Sequence, residues 1–493
     1  MLAHSLDKIL LNFNIVCEEI SVNDLHLDSR NVGKGDVFVA VTGMQVDGRK
    51  FIESAVNAGA VAVIQQCQHE QQHGEIEYQL GVPIVSFWRL DQLLSQLGHA
   101  AYFSQGNPLH IVGVTGTNGK STITHLIAAL AQDCGVPAAV MGTLGNGVPG
   151  QLQPSINTTA DPITIQRQLA DYAKQGIKLV AMEVSSHGLQ QGRVAAVPFN
   201  GAVFSNLSRD HLDYHGTMAE YGRAKQALFD WPTLSYRLIN SDDAFGLQML
   251  ETYPSAQSLS TLNSNTSWYL SEIMLSEKGL STQWCSEKLG AKSLMINAAL
   301  LGRFNADNLL AALVCLFNYG LGPIALQQAC AKIQSVPGRM ELFHANRKAA
   351  VVVDYAHTPD ALEKALLGAK AHCIGQLWCI FGCGGDRDQG KRPMMAKVAE
   401  LGADKVIVTD DNPRFENPAQ IIKDIVSGFT QADTVLVCHD RREALRLALS
   451  QTASEDVILI AGKGHENYQI VGASSIDYDE RAVVAQLLAE VSQ

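Results

Sequence analysis

The stretch His110-Ile-Val-Gly-Val-Thr-Gly-Thr-Asn-Gly-Lys-Ser-Thr122 restricts what this chain can fold into more than any other. Its pattern predicts a short buried strand from Ile111 to Val114, a glycine-rich turn, and a helix running from Ser121 towards Ala131. Gly116 and Gly119 can take backbone angles that a side chain would forbid. Successive N–H groups can then curl round an anion at the helix N-terminus. Lys120 would place a positive charge beside terminal phosphates, and the Ser121 hydroxyl is a candidate Mg²⁺ ligand. The strict pattern G-x-x-x-x-G-K-[ST] asks for glycine at position 114, where this chain has Val114, flanked by Gly113 and Gly116.

The chain has 493 residues, which at roughly 150 residues per domain predicts about three domains. Hydrophobic residues make up 46% and charged residues 17%, a balance that supports a large core and excludes wholesale disorder. The formal net charge of −12 argues against a nucleic-acid-binding surface. Anionic substrates must then be held by local donors and Mg²⁺. Ten cysteines without a C-x-x-C pair fit reduced thiols rather than a disulfide framework or a zinc site. No basic-then-apolar leader opens the chain and no apolar run is bilayer-length, so a soluble, cytoplasmic protein with no membrane partner is expected.

Strand–helix alternation runs through most of the sequence and predicts an α/β protein. The expected domains are a small N-terminal α/β domain over 1–89, a central P-loop domain with a mostly parallel sheet over 90–336, and a C-terminal Rossmann-like domain over 337–493. In the first, Asp36–Thr42, Val61–Gln65 and Gly81–Ser86 read as strands and Phe51–Ala60 as a helix. The loops Leu27-Asp-Ser-Arg30 and Gly43-Met-Gln-Val-Asp-Gly-Arg49 read by themselves as solvated turns.

In the central region, Asn157-Thr-Thr-Ala-Asp161 precedes a helix and reads equally as a cap or a site. Glu183 ends the apolar strand of Leu179-Val-Ala-Met-Glu-Val-Ser-Ser-His187. A carboxylate there is costly unless paired or metal-bound, so a buried salt bridge and a Mg²⁺ site both remain open. Val203-Phe-Ser-Asn-Leu-Ser-Arg-Asp-His-Leu-Asp-Tyr-His215 packs Asn206, Asp210, His211, Asp213 and His215 into one polar group. The helix from Met218 to Asp230 carries Lys225, by itself an ordinary solvated lysine. Residues 235–298 show only short strand-like runs. Beyond Val336-Pro-Gly-Arg-Met-Glu341, a turn that reads as a domain boundary, each apolar strand delivers a polar loop: Gly382-Cys-Gly-Gly-Asp-Arg-Asp388, Asp410-Asp-Asn-Pro-Arg414 and Gly462-Lys-Gly-His-Glu466. Open sheets bind ligands at such strand ends. Arg387 and Arg414 suit bidentate carboxylate recognition, and Glu466 suits an ammonium group.

The set Gly113–Thr122, Glu183-Val-Ser-Ser-His187, Asn206-Leu-Ser-Arg-Asp-His-Leu-Asp213, Val353-Asp-Tyr-Ala-His-Thr-Pro359 and Asp411-Asn-Pro-Arg414 resembles the Mur ligase family, in order, over nearly the whole chain. Asp411-Asn-Pro-Arg414 is similar to the motif of the branch that adds meso-diaminopimelate rather than L-lysine. The resemblance implies an ATP-dependent ligase of peptidoglycan synthesis, acting on UDP-N-acetylmuramoyl-L-alanyl-D-glutamate and using Mg²⁺, with a monomer expected. It implies that Leu27, Ser29, Met44, Gln45 and Val46 hold the uridine end. Asn157, Thr158, Thr159, Ser185, Gln191 and Arg193 would contact the muramoyl-dipeptide part. Gly116, Thr117, Asn118, Gly119, Lys120, Ser121 and Thr122 would cradle the ATP phosphates, with Asn305, Arg339 and Asp354 nearby. Glu183 and His211 would bind Mg²⁺, joined by Lys225 once carbamylated to N6-carboxylysine. Arg387, Asp411, Asn412, Pro413, Arg414, Gly462 and Glu466 would form the diaminopimelate pocket. The rivals are an L-lysine-adding ligase, a folylpolyglutamate synthase-like ligase, and a P-loop ATPase switch without ligase activity. Replacing Lys120 by Ala is expected to abolish product formation with the circular dichroism spectrum unchanged; near-normal turnover would remove the phosphate-loop assignment.

Overall fold

The computed structural model describes residues 5–43, 46–103, 105–155, 157–276, 279–290, 293–345 and 348–490. Met44 and Gln45 lie outside the described residues, as does the side chain of Asp213. The chain divides into two compact units: Met1–Gly116 with Gly135–Val203 and His211–Arg237, and Thr117–Cys134 with Phe204–Asp210 and Leu238–Gln493.

The first unit opens with a five-stranded sheet in the order Leu25–His26, Val37–Ala40, Ala62–Cys67, Val82–Trp88, Ile76–Gln79. All pairs are parallel except the last. The three strands read from sequence are present, shortened or shifted by a few residues at their ends. The two-residue strand and Ile76–Gln79 were not foreseen. Leu90, Leu94, Leu97 and Ala101 recur at helical spacing along the helix Leu90–Tyr102. They pack into one core with Val37, Val39, Ala62, Ile64, Val85 and Phe87.

Further along the same unit, His110–Thr115 pairs in parallel with Leu179–Glu183, which pairs in parallel with Ala138–Gly142. The register sets Val114 opposite Glu183. The end of the strand feeding the glycine turn and the buried carboxylate are therefore neighbours in one sheet.

In the second unit, Trp268–Ser276, Gly279–Cys285 and Ser293–Ala298 form an antiparallel meander. Trp268 and Trp284 stack at 5.6 Å between ring centroids, with Phe317 edge-on to Trp268 at 4.9 Å. This ordered stretch is where the sequence was least legible.

The last sheet has the order Glu341–Phe343, Ala350–Asp354, Val457–Ala461, Leu377–Phe381, Lys405–Val408, Leu436–Val437. Only the first pair is antiparallel. Alternate residues point to opposite faces. Val351, Val353, Ile458 and Ile460 join the core under Ala444, Leu445 and Val484, while Val352, Val457 and Leu459 join the core under Leu362, Met395 and Ile422. Helices on both faces explain why these strands read as unbroken apolar runs. Because Val457–Ala461, last in sequence, sits in the middle, its following loop lies between those after Ala350–Asp354 and Leu377–Phe381.

The Arg441 guanidinium is buried against the equally buried Glu480 carboxylate and donates to the Ala461 carbonyl at 3.0 Å. Arg441→Leu strands a buried carboxylate and is expected to destabilise the chain by about 3–5 kcal/mol, whereas the double change Arg441→Leu, Glu480→Leu recovers most of that. Denaturant titration followed by circular dichroism checks both.

Candidate active site

The glycine turn has the predicted geometry. Gly116 has φ +145° and Gly119 φ +89°, and the helix Lys120–Asp133 begins directly after. The loop's shape is held from outside. In the second unit, Thr117 N donates to Asn206 O at 2.8 Å and Asn118 N to Asn206 Oδ1 at 3.0 Å. Ser205 Oγ donates to Asn118 O at 2.6 Å. A Cβ at Gly119 would stand 2.5 Å from Asn308 Oδ1, so close approach as well as φ requires glycine there. The first N–H groups of an α-helix have no partner within the helix itself, which makes those of Lys120–Thr122 the donors this turn can offer an anion. Lys120 Nζ arches back onto Thr117 O at 2.8 Å. The departure at Val114 is explained by its place in the strand, fully buried, with its carbonyl accepting from Val184 N.

Asn305 lies in the first turn of the helix Phe304–Tyr319. Asn305 Oδ1 accepts from Asn308 Nδ2 at 2.9 Å, which links Asn305 to Gly119. Arg339 stacks over Tyr355 at 4.5 Å. Burial pushes the Asp354 carboxyl up, against the pull of Arg339 and of the N–H groups of Met340 and Ala356. Burial likewise takes the His125 imidazole down to about 4, helped by Arg339. Asp360, which no sequence signal singled out, accepts from Asn118 Nδ2 at 3.0 Å and Ser208 Oγ at 3.3 Å.

In the first unit, Glu183 is 1% exposed. Its oxygens accept from Thr143 N at 2.9 Å and Thr143 Oγ1 at 3.1 Å. No lysine or arginine pairs with it among the described residues, so the salt-bridge reading falls. An ionised carboxylate buried this deeply needs a further counter-charge. Oxygen donors with lone pairs to spare suit Mg²⁺, which is held by one or two carboxylates together with water and phosphate. Among the described residues no three His, Cys, Asp or Glu side chains form a cage for a metal ion. His211, at φ +52°, lies edge-on to His187 at 5.0 Å. Lys225 is 1% exposed, not solvated as its helix position alone suggested. Its Nζ donates to Gly116 O at 2.7 Å and sits 4.4 Å above the Tyr221 ring.

The residues matched to the muramoyl-dipeptide contacts are connected to Glu183. Thr143 Oγ1 meets Thr158 Oγ1 at 3.0 Å, and Thr159 Oγ1 bridges Glu183 O and Ser185 N, each at 3.0 Å. Arg193 donates to Thr159 O at 2.6 Å and to Gln191 Oε1 at 2.9 Å. Asn157 stands apart and exposed. The cap of the following helix is Asp161, accepting from Thr164 N at 2.9 Å. Leu27 lines a cavity of about 70 Å³ with Asp28, Asn31, Asp161, Thr164 and Arg167. Ser29 opens a short 3₁₀ turn beside it, and Val46 is exposed.

At the C-terminal sheet, Arg414 Nη1 donates to Gly385 O at 2.9 Å, and its own backbone N–H to Ile470 O at 3.0 Å. A Cβ on Gly384 would stand 2.8 Å from Arg414 Nη1 and 3.8 Å from Arg387 Cγ, so the two arginines come close to the same point beside one glycine, Arg387 being exposed and Arg414 half-buried. Pro413 O packs on Gly385. Asn412 Nδ2 donates to Glu466 Oε2 at 3.0 Å, and Tyr355 OH to Glu466 Oε1 at 3.3 Å. Gly462, at φ +117°, leaves room for Asp411, whose Oδ2 a Cβ would approach to 2.8 Å. Sequence reasoning passed over Lys463, which is fully buried among Asp411, Asn412 and Glu466. Its place inside the quoted loop Gly462–Glu466 was the available signal.

Three family models match in order: the Mur ligase family catalytic domain over 21–102, the Mur ligase middle domain over 114–316, and the Mur ligase glutamate ligase domain over 338–464. The UDP-N-acetylmuramoyl-L-alanyl-D-glutamate–2,6-diaminopimelate ligase of Vibrio vulnificus (strain YJ016) is 49% identical over 95% of both chains. That of Vibrio cholerae serotype O1 is 47% identical over 95% of this chain and 94% of its own. A solved structure of a UDP-N-acetylmuramoyl-L-alanyl-D-glutamate–2,6-diaminopimelate ligase superposes with a TM-score of 0.69 at 38% identity, covering 97% of this chain and 96% of that one. With the phosphate loop, the buried carboxylate and the polar strand ends in place, these matches show that the chain belongs to the Mur ligase family.

Proposed function

We propose that this protein joins meso-diaminopimelate to UDP-N-acetylmuramoyl-L-alanyl-D-glutamate, converting ATP to ADP and phosphate. The observation that carries the reading is the C-terminal pocket, where the Arg414 guanidinium and the Asn412-bound Glu466 carboxylate share one set of loops. A cation and an anion so placed complement the carboxylate and ammonium on the far carbon of diaminopimelate. L-Lysine has no second carboxylate to meet Arg414. The names of the relatives at 47–49% identity point the same way.

A carboxylate is a poor electrophile and must first be activated. The D-glutamyl γ-carboxylate attacks the γ-phosphorus of ATP, breaking its bond to the bridging oxygen and releasing ADP. Lys120 and the first-turn N–H groups stabilise the charge that develops on the phosphoryl oxygens. Glu183 and His211 are the residues that would hold Mg²⁺, which would supply additional charge neutralisation; the Ser121 hydroxyl is a candidate ligand by its place in the phosphate-loop motif. The unprotonated amine of diaminopimelate then adds to the acyl carbon, and the tetrahedral intermediate collapses with loss of phosphate and a proton. Arg414 and Glu466 hold the far end of the amino acid, which turns a bimolecular encounter into an oriented one. Carbamylation of Lys225 would replace a buried cation with a carboxylate. A ¹³C carbamate signal from labelled bicarbonate that persists in Lys225→Arg would overturn that assignment.

Phosphate release with the muramoyl-dipeptide nucleotide is expected to require diaminopimelate and to fail with L-lysine; turnover indifferent to the amino acid would point to an ATPase instead. Arg414→Ala is expected to raise the KM for diaminopimelate about ten- to a hundred-fold, the worth of a charged hydrogen-bonded contact, with the KM for ATP unchanged. Equal changes in both would remove Arg414 from the pocket.

A further inference from the structure

The amino-acid pocket contains a buried cation to which the reading above gives no role. The Lys463 side chain is 0% exposed. Its ammonium donates to Asn412 Oδ1 at 2.5 Å and to Tyr468 O at 2.8 Å, and lies 3.3 Å from both Asp411 Oδ1 and Glu466 Oε2. A lysine stem is usually found with its head group in water. Full burial is tolerated only where charge and hydrogen bonds are returned; here the charge comes from Asp411 and Glu466 and the hydrogen bonds from Asn412 and the Tyr468 carbonyl, three of these four being residues placed in the pocket.

Two consequences follow from the geometry. The first concerns Asn412. Its Oδ1 takes hydrogen bonds from Lys463 Nζ and from Ile470 N at 2.9 Å. Both are obligatory donors, so the amide can point only one way, with Nδ2 towards Glu466. The second concerns charge. Asp411 and Glu466 bring two carboxylates to the site and Lys463 returns one positive charge, leaving a single negative charge for one incoming ammonium.

We propose that Lys463 is a positioning residue for the amino-acid substrate: it locks the orientation of Asn412 and reduces the Asp411–Glu466 pair to a single net negative charge, without touching the substrate itself. The proposal rests on the assignment of this pocket to diaminopimelate. Lys463→Met keeps the apolar stem and removes the ammonium. Assayed in the full chain by phosphate release, it is expected to raise the KM for diaminopimelate about ten- to a hundred-fold, the range for a lost charge-assisted hydrogen bond. The KM values for ATP and for the muramoyl-dipeptide nucleotide stay as in the parent protein, and kcat falls far less than the diaminopimelate KM rises. Lys463→Gln, which restores a neutral donor to Asn412, is expected to fall between the two. An unchanged diaminopimelate KM in Lys463→Met, or equal shifts in all three KM values, overturns the proposal. So does failure of both variants to fold, which would make the lysine a fold-stabilising residue only. If the parent protein itself shows no diaminopimelate-dependent turnover, the pocket assignment fails instead, and the two failures are told apart.

Discussion

The chemistry of this chain depends on a short loop keeping its curl. Residues 116–119 have no regular structure of their own. The Asn206 side chain and carbonyl, the Ser205 hydroxyl and the close approach of Asn308 to Gly119 hold them. Asn206 and Ser205 satisfy backbone groups of the turn, and Asn308 closes off the space beside Gly119. Rigidity therefore comes from residues far away in sequence, and the helix N-terminus arrives already oriented. Preorganised donors of this kind stabilise charge without first having to reorganise.

Buried charge holds several loops of the second unit in place. Arg441 with Glu480 anchors the ends of two strands through the Ala461 and Asp410 carbonyls. Arg392, its side chain 0% exposed, ties Glu416 and Asp424 to the loop carbonyl at Gly384. Lys463 does the same for Asp411, Asn412 and Glu466. Such pairs add little net stability over a well-packed apolar core, because desolvation offsets most of the Coulomb attraction. They do restrict the polar loops to one arrangement, since each alternative would leave a charge buried and unpaired. Glu183 differs. Among the described residues its side chain is held by the Thr143 N–H and hydroxyl, with no basic side chain beside it.

The legible parts of the chain were those where local pattern and tertiary role coincide. The apolar strands at 350–354, 377–381 and 457–461 are regular and mostly buried, the last two running directly into polar loops read from sequence; strands covered on both faces leave an unbroken hydrophobic signal. The meander over 268–298 did not announce itself, since its strands alternate between one buried and one exposed face and are interrupted by polar turns. Lys225 and Lys463 illustrate the limit more sharply. Both look like ordinary lysines in the sequence, and both are buried, because neighbours supplied by distant segments surround them.

The sequence alone determined the phosphate loop, the α/β alternation and the polar strand ends, since these rest on local backbone freedom and hydrophobic period. Tertiary structure decided which charges are paired. It left Glu183 without a basic partner among the described residues, folded Lys463 into the Asp411–Glu466 pair, and brought Arg387 and Arg414 close to one glycine. A charge's meaning depends on what it can reach across the fold, and that distance is not written in the order of residues.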